Sequence, residues 1–338
     1  MEYTFRQGKV RDVYETKDSV MLVATDRISA FDIIMPTIVP GKGKILTTIS
    51  NFWLDYFDKF PNHRSKASIT LNDIAEPPLN KYIESGKSML ENFSDIAGRT
   101  SYCKKANVLP IEFIVRGYMA GSLWKEYQDW WNTANKDKTL PECKEISIWG
   151  HTFPPYQLRQ CEEIVTLRRN HSVFGRCLGE EDTPIFTPST KSKDGHDVNI
   201  HFDKAVAICA DHYSMTRDGA LILMKHLQRL AINIYVEAHA YAMSCGFIIS
   251  DTKIEFGMVD NKMVIVDELL TPDSSRYWKL SDYKIGQDQD SYDKQILRNY
   301  LVEQGWGYGD SKEVEPLPDW LVQKLGNRYQ EICDNLTK

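Results

Sequence analysis

Carboxylate and ammonium groups alternate with other residues in one stretch of the chain. Asp251, Lys253 and Glu255 occupy every second position after an apolar run, and a second apolar run, 263–266, ends at Asp267. Carboxylate oxygens are ligands that Mg²⁺ takes in proteins when it enters with a nucleotide. The stretch therefore predicts a metal site, and an ordinary edge ribbon with a solvated acidic face is the alternative.

A β-hairpin is the element that would position these groups, because the polar turn 260–262 separates two alternating or β-branched runs. A hairpin centred on Asn261 places Glu255 opposite Asp267. Side chains alternate between the faces of a strand, so the other two charged residues of the stretch share that face. Like charges directly opposite each other destabilise a sheet by roughly 0.2–1 kcal/mol, so the arrangement favours a cation between the two carboxylates.

Two further segments combine arginine with groups that bind anions. The turn former Pro272-Asp273 precedes two serines and Arg276, which predicts an anion cradle. Arg116 is followed by a glycine-rich segment in which Ser122 is placed to cap a helix that begins at Leu123. A helix N-terminus beside an arginine is a phosphate site.

Three polar loops could also contact a small anionic molecule. Gly8 stands with Lys9 and Arg11 at the entrance of a strand, where a plain β-turn is the alternative to a loop that covers phosphates. The loop 25–32 follows an apolar strand and indicates a site loop or a local cap with ion pairs. The loop 186–199 is dense in hydroxyl groups and cations.

The composition limits the class of protein. The chain has 338 residues, 42% of them hydrophobic, which is enough to bury a sizeable core. It lacks both a membrane-length apolar window and the apolar core of a signal peptide, so we expect a cytoplasmic protein that contacts no membrane. The net charge of -6 disfavours a general nucleic-acid binder. The seven scattered cysteines argue against a disulfide framework and a zinc site.

Hydrophobic periodicity predicts the elements that carry these residues. The clearest helix spans 218–245. Shorter helices are predicted at 46–57, 292–303 and 319–336. A strand at 108–116 connects an N-terminal β-rich lobe, 1–110, to a second lobe, 111–338. The segment 128–182 contains three tryptophans but shows no pattern typical of a chemical site.

Six segments occur together in an order and spacing that resembles one enzyme family. They are 8–12, 26–32, 112–127, 186–191, 251–257 and 267–278. The chain resembles the SAICAR synthetases over nearly its whole length, and six segments in order are specific where any single one is weak. These enzymes use ATP to join aspartate to a carboxylated aminoimidazole ribonucleotide, CAIR, in purine biosynthesis. Between Tyr127 and Phe186 this chain is longer than the family pattern.

The resemblance implies an α+β, two-lobed fold similar to those of ATP-grasp enzymes and kinases, with an antiparallel β lobe that binds ATP and a larger α/β lobe. Lys9 and Arg11 would cover the phosphates of ATP, and the chain around Lys104 to Glu112 would hold adenine. The implied ligands of Mg²⁺ are Glu255 and Asp267. ATP and Mg²⁺ are therefore the expected cofactors.

The resemblance also implies a substrate side. The residues that would hold the 5′-phosphate of CAIR are Arg116, Ser122 and Arg276, with Ser274 or Ser275. Asp251 and Lys253 would lie near the sugar and the reacting carboxylate, with Lys9 as the third catalytic residue. Loops on this side would contribute Ser29, Asp32, Lys191 and Asp197. No side chain has to be a covalent nucleophile, because ATP would convert the CAIR carboxylate to an acyl phosphate.

Two other functions share parts of this pattern. A small-molecule kinase would have the same ATP site and would release a phosphorylated product. A non-catalytic nucleotide sensor would keep the adenine site and tolerate loss of the metal pair. Both carboxylates and both arginines are present, which disfavours the sensor. We expect small-molecule substrates and either a monomer or a small homo-oligomer.

Overall fold

The computed structural model describes most of the chain. The described ranges are 4–31, 33–66, 97–136, 146–153, 158–164, 184–191, 198–292, 295–307 and 315–338. Helices and antiparallel sheets mix along these ranges, which gives the predicted α+β fold class. Across the same ranges we find no helix with the length and apolar character needed to span a membrane.

The elements follow one another in chain order. The strands are β1 Thr4–Gln7, β2 Arg11–Glu15, β3 Ser19–Ala24, β4 Arg27–Ala30, β5 Ile33–Ile38, β6 Arg64–Lys66, β7 Thr100–Lys104, β8 Asn107–Val108, β9 Ile111–Arg116, β10 Ile146–Ile148, β11 His151–Phe153, β12 Ile185–Thr190, β13 Val198–Asn199, β14 Phe247–Val259, β15 Lys262–Val266 and β16 Ser275–Lys279. The helices are α1 Lys42–Tyr56, α2 Gly121–Lys136, α3 Phe202–Tyr213, α4 Arg217–Ser244, α5 Gln295–Glu303 and α6 Asp319–Leu336.

The chain forms two compact units, each built from separate segments. The first unit contains Met1–Val108, Glu255–Ser274 and Ser291–Lys338, and the second contains Leu109–Ile254 and Ser275–Asp290. The sequence predicted two contiguous lobes, 1–110 and 111–338. The observed units differ from that division because the chain returns twice to the first unit.

The first unit is built on an antiparallel sheet with the strand order β1-β2-β3-β7-β6. Glu15 pairs with Val20 across β2 and β3, so these two strands form a hairpin. Helix α1 buries Leu46 and Trp53, and α6 packs against α1. The C-terminal helix therefore completes the core that the N-terminal segment begins.

The second unit is built on β9, β12, β13, β16 and the first part of β14. β12 pairs with β9 along its length, with Ile185 opposite Arg116. One face of this sheet is apolar, and the rings of Phe113 and Phe186 lie 5.4 Å apart on it. Phe202 of α3 contacts Phe186 edge to face. The helices α3 and α4 pack against strands of this sheet.

The prediction of a polar loop at 186–199 was wrong in its first part, because residues 186–190 belong to the strand β12. Phe186 and Pro188 alternate with Thr187 and Ser189, and all four are buried. The hydroxyl residues therefore occupy a buried face rather than a solvated loop. The hydroxyl residues and the proline give the segment the composition of a loop, although its backbone pairs with β9 along the whole strand.

An aromatic cluster accounts for the tryptophans of the segment 128–182. Tyr127 of α2 is buried with Ile148 and Phe153 of the hairpin β10–β11. Partly buried tryptophans pack against this cluster, namely Trp124, Trp130, Trp131 and Trp149. The described part of the segment thus shares a small core with α2 and β12 within the second unit.

Candidate active site

The hairpin β14–β15 forms as predicted, but its register is shifted by one residue. Glu255 pairs with Val266, not with Asp267. Asp260 and Asn261 both have positive φ, 49° and 60°, so the connection is a two-residue loop of the kind that joins twisted strands. Asp267 lies just beyond β15 and also has a positive φ, 63°. Its side chain is therefore positioned by the backbone turn and not by strand alternation.

Asp267 belongs to a group of carboxylates around one arginine in the first unit. This carboxylate cluster comprises Glu255, Asp267, Glu268 and Asp273. Arg11, at the start of β2, pairs with both Asp267 and Glu268. Burial lowers the pKa of Arg11, but the four carboxylates outweigh burial and raise it above its ordinary value. Arg11 thus faces the predicted metal pair, whereas the sequence assigned it to the phosphates of ATP.

His63 fixes the backbone of Asp267. The Asp267 N–H donates to Nε2 of His63 at 3.0 Å, so this nitrogen is the unprotonated acceptor of the ring. Burial lowers the pKa of His63 to about 4, although Asp267 opposes the shift. The imidazole is consequently neutral at pH 7 and holds Asp267 in its left-handed conformation.

A buried ion pair fixes the turn that follows the cluster. Nζ of Lys42, fully buried at the start of α1, lies 2.7 Å from Oδ2 of Asp273. The Tyr329 hydroxyl of α6 donates to Oδ1 of the same carboxylate at 3.0 Å. The Ser274 N–H donates to the Thr271 carbonyl at 3.0 Å, which closes the predicted turn around Pro272-Asp273. The hydroxyl of Ser274 accepts from the Thr271 N–H within this turn.

Three charged residues form a row across neighbouring strands of the second unit. Asp251 of β14 is directly opposite Arg116 of β9 on one side and Arg276 of β16 on the other. Residues that are directly opposite share a face of the sheet. Arg276 forms an ion pair with Asp251. We call these three residues the arginine row.

The arginine row lies on a polar face of this sheet. Nε of Arg116 donates to the Thr187 hydroxyl at 2.8 Å, and Nζ of Lys253 donates to Oε1 of Glu112 at 2.8 Å. Burial lowers the pKa of Arg116 to about 10; Asp251 opposes this shift and the second arginine of the row adds to it. Two guanidinium groups that share one carboxylate retain an excess of positive charge, which suits a phosphate group.

Helix α2 begins next to the arginine row. Gly121 has φ 58°, and a Cβ atom at this position would lie 2.8 Å from Nη1 of Arg276. Only glycine allows the guanidinium to approach the helix N-terminus so closely. The prediction that Ser122 caps the helix was wrong, because the helix begins at Gly121 and Ser122 lies within its first turn.

The remaining predicted site residues lie in several places. Lys9 is exposed in the turn between β1 and β2, and Ser29 is buried in β4. Lys191 is exposed directly after β12. The structure does not bring Ser275 together with Arg276, because adjacent strand residues face opposite sides and the Ser275 hydroxyl contacts Thr252 at 2.7 Å. Asp32 and Asp197 lie outside the described residues.

The carboxylate cluster provides oxygen ligands of the kind that bind a metal ion together with a nucleotide. Within the described ranges, no three carboxylate, histidine or cysteine side chains converge to hold a metal ion by themselves. Mg²⁺ usually binds through one or two carboxylates and completes its shell with phosphate and water oxygens. When ionised, the four carboxylates exceed the charge of Arg11 and Lys42 by two. The cluster therefore fits a divalent cation bound together with phosphates.

Glu268 of this cluster and two residues that contact the cluster, His63 and Lys42, were not predicted from the sequence. Glu268 follows Asp267 directly, and strand alternation would direct the two side chains apart. His63 is separated from Asp267 by 204 positions, and no local pattern connects them. Lys42 precedes the helix predicted at 46–57 and resembles an ordinary surface lysine. A start of α1 four residues earlier would have placed Lys42 within an amphipathic helix.

Solved structures of one enzyme family share this fold along nearly the whole chain. SAICAR synthase of Saccharomyces cerevisiae, solved with SAICAR, matches with a TM-score of 0.73 and 32% identity over 99% of this chain and 95% of that chain. A SAICAR synthetase solved with ADP has the same fold, with a TM-score of 0.58 and 19% identity over 99% of this chain and 97% of that one. The fold is therefore that of the SAICAR synthetase enzymes.

Sequence relatives lead to the same family. The phosphoribosylaminoimidazole-succinocarboxamide synthase of Thermodesulfovibrio yellowstonii is 42% identical over 335 residues, which cover 98% of this chain and 94% of that protein. The Candida albicans enzyme of the same name is 38% identical over 98% of this chain and 93% of its own length. The SAICAR synthetase family model matches residues 4–314. The chain belongs to the SAICAR synthetase family, as its six segments predicted.

Proposed function

We propose that this chain is an ATP-dependent ligase that joins L-aspartate to the carboxylate of CAIR and forms SAICAR, ADP and phosphate. The observation that carries the proposal is the match to synthases of this name over nearly the full chain, at 42% identity in one case. The two polar sites have the composition that the reaction needs. One is rich in carboxylates for a metal with its nucleotide, and the other is rich in guanidinium groups for an anionic substrate.

The first unit supplies the nucleotide side of the reaction. Glu255 and Asp267 hold Mg²⁺, which when bound neutralises charge on the phosphates of ATP. Arg11 pairs with Asp267 and Glu268 and so keeps these carboxylates at defined positions. Lys9, exposed in the β1–β2 turn, covers the phosphates. Arg27 supports this turn by donating to the Lys9 carbonyl at 3.3 Å.

The second unit supplies the substrate side. Arg116 and Arg276 hold the 5′-phosphate of CAIR, and Asp251 between them keeps both guanidinium groups in register. The N-terminus of α2, which begins at Gly121, adds backbone N–H groups beside Arg276. Lys253 on the same polar face is a cation for the reacting carboxylate of CAIR.

The reaction must first make a carboxylate electrophilic. A carboxylate oxygen of CAIR attacks the γ-phosphorus of ATP, ADP leaves, and an acyl phosphate forms. The amine of aspartate then attacks the carbonyl carbon, the C–O bond to phosphate breaks, and the amine loses a proton. Most of the work of the protein is positioning and charge neutralisation, since phosphoryl transfer needs in-line geometry and stabilised oxygens.

Isotopic labelling tests this sequence of steps. CAIR labelled with ¹⁸O in its carboxylate should yield labelled inorganic phosphate in step with SAICAR, and only when ATP, Mg²⁺ and aspartate are all present. Unlabelled phosphate with normal SAICAR formation would eliminate the acyl phosphate. Steady ADP release with a stable phosphorylated product and no need for aspartate would replace the ligase with a kinase.

A further inference from the structure

The hairpin β10–β11 places a tryptophan where a smaller residue is expected. Ile148 pairs with His151, so Trp149 and Gly150 form a two-residue loop, with φ values of 52° and 87°. Such a loop favours Asn-Gly, because both residues must adopt a positive φ. A bulky residue in this conformation is an outlier, and an outlier of this kind is a reason to look for a function.

The tryptophan ring lies over a guanidinium group of the arginine row. Cζ of Arg116 is 5.6 Å from the centre of the Trp149 ring, within the range of a cation–π contact. The edge of the same guanidinium is fixed by the hydrogen bond from Nε to Thr187. Arg116 is 5% exposed, so the contact is largely removed from water. The ring and the hydroxyl together restrict both the tilt and the rotation of the guanidinium plane.

The hairpin itself is anchored at a defined place. Nε2 of His151 lies 2.7 Å from the carbonyl oxygen of Phe186 on β12, the strand next to the one that carries Arg116. Ile148 and Phe153 are buried in the aromatic cluster. The loop is thereby held against the sheet and can present Trp149 at a fixed position.

We propose that Trp149 is a positioning residue that holds the Arg116 guanidinium in the orientation that receives the phosphate of CAIR. The hairpin β10–β11, in which the sequence showed no chemistry, then belongs to the substrate site. This inference rests on the proposed function, which assigns Arg116 to that phosphate.

The test compares variants that separate the ring from the turn. Trp149→Asn removes the packing of the ring against the aromatic cluster but supplies the Asn-Gly sequence that the loop favours, so the hairpin should still form. The affinity for CAIR should fall roughly 3- to 30-fold, as expected for loss of one cation–π contact. KM for CAIR should rise while kcat and the affinity for ATP stay unchanged. Trp149→Phe keeps an aromatic face and should restore most of the affinity.

Two further variants make the outcome decisive. Trp131→Leu alters the same aromatic cluster on α2 and should leave the affinity for CAIR near the wild-type value. If Trp131→Leu lowers the affinity for CAIR as much as Trp149→Asn does, loosened packing is the cause and the inference is wrong. Arg116→Lys should weaken CAIR binding. If it does so while Trp149→Asn binds normally, the inference falls and the proposed function stands. If Arg116→Lys also binds normally, the assignment of Arg116 itself is wrong.

Discussion

Asp267 combines a left-handed backbone with a carboxylate that pairs with a partly buried arginine. Positive φ is uncommon outside glycine, although aspartate tolerates it better than most residues. Two contacts offset its cost, one from the Asp267 N–H to His63 and one from Arg11 to the carboxylate. The metal ligand of the proposal is therefore held by its backbone as well as by its side chain.

The first residue-scale prediction concerns His63. His63→Leu removes the acceptor of the Asp267 N–H, and an unsatisfied buried donor costs about 1–3 kcal/mol. We expect lower stability in urea and a higher Mg²⁺ requirement for ATP binding, measured by calorimetry without CAIR or turnover. His63→Gln carries an acceptor oxygen at a similar reach and should restore the Mg²⁺ requirement. Equal effects of Leu and Gln would show that the hydrogen bond does not position Asp267.

At the scale of elements, helices and hairpins could be predicted because they follow from the local pattern of the sequence. The helix predicted at 218–245 is α4, and the one predicted at 319–336 has the bounds of α6. Both carry apolar residues at helical spacing over many turns, which tertiary contacts reinforce rather than oppose. Local pattern fails where a two-residue loop and a three-residue loop differ by one position, as in the hairpin β14–β15.

Pairing between strands that lie far apart in the sequence could not be predicted either. β12 reads as a polar loop because its Thr187 and Ser189 face a polar sheet surface that β9 and β14 complete. The polar character of that surface is fixed by residues far apart in sequence, such as Glu112 and Lys253. Pro188 and the two consecutive hydroxyl residues at 189–190 obscure the period-2 alternation that marks a strand, so the segment resembles a loop.

The second prediction belongs to α4 and its contact with β14. Nδ1 of His239 lies 3.1 Å from the Ile249 carbonyl, and the ring stacks on Tyr235. Burial lowers the pKa of His239 below its ordinary value of 6.5, although the hydrogen bond and Glu163 oppose the shift. The Tyr235 hydroxyl is neutral at acidic pH, and burial raises its pKa further.

The direction in which pH changes stability follows from which state of the chain, folded or unfolded, binds more protons. Because the pKa of His239 is lower in the folded chain, the unfolded chain binds the proton more readily below pH 6.5. The contribution of neutral His239 to the free energy of unfolding is therefore complete above pH 6.5 and is lost as the pH falls through the folded-state pKa. His239→Gln should reduce the loss of urea stability between pH 7.5 and 5.5, a slope of at most about 1.4 kcal/mol per pH unit for one proton. His226→Gln on the same helix is the control. An unchanged slope in His239→Gln would rule out this histidine as the source.

For the whole molecule, the first unit is assembled from three separate stretches of sequence. Its charged contacts join them: Arg11 pairs with Asp267 of the second stretch, and Asp273 of the second stretch meets Lys42 of the first and Tyr329 of the third. Buried charges are costly when a partner is removed, by about 3–5 kcal/mol. The first unit should therefore depend on all three stretches at once.

This dependence gives the last prediction. The segment 1–108 expressed alone should lack a cooperative thermal transition, because Lys42 would lose Asp273 and α1 would lose the apolar face of α6. Adding the separately expressed segment 255–338 should restore part of the transition, measured by near-ultraviolet circular dichroism. The control is the same segment with Asp273→Ala, which leaves Lys42 without its carboxylate and should restore less. A cooperative transition in 1–108 alone, with the denaturant dependence of a folded domain, would mean that the N-terminal sheet and α1 form a core without the returning segments.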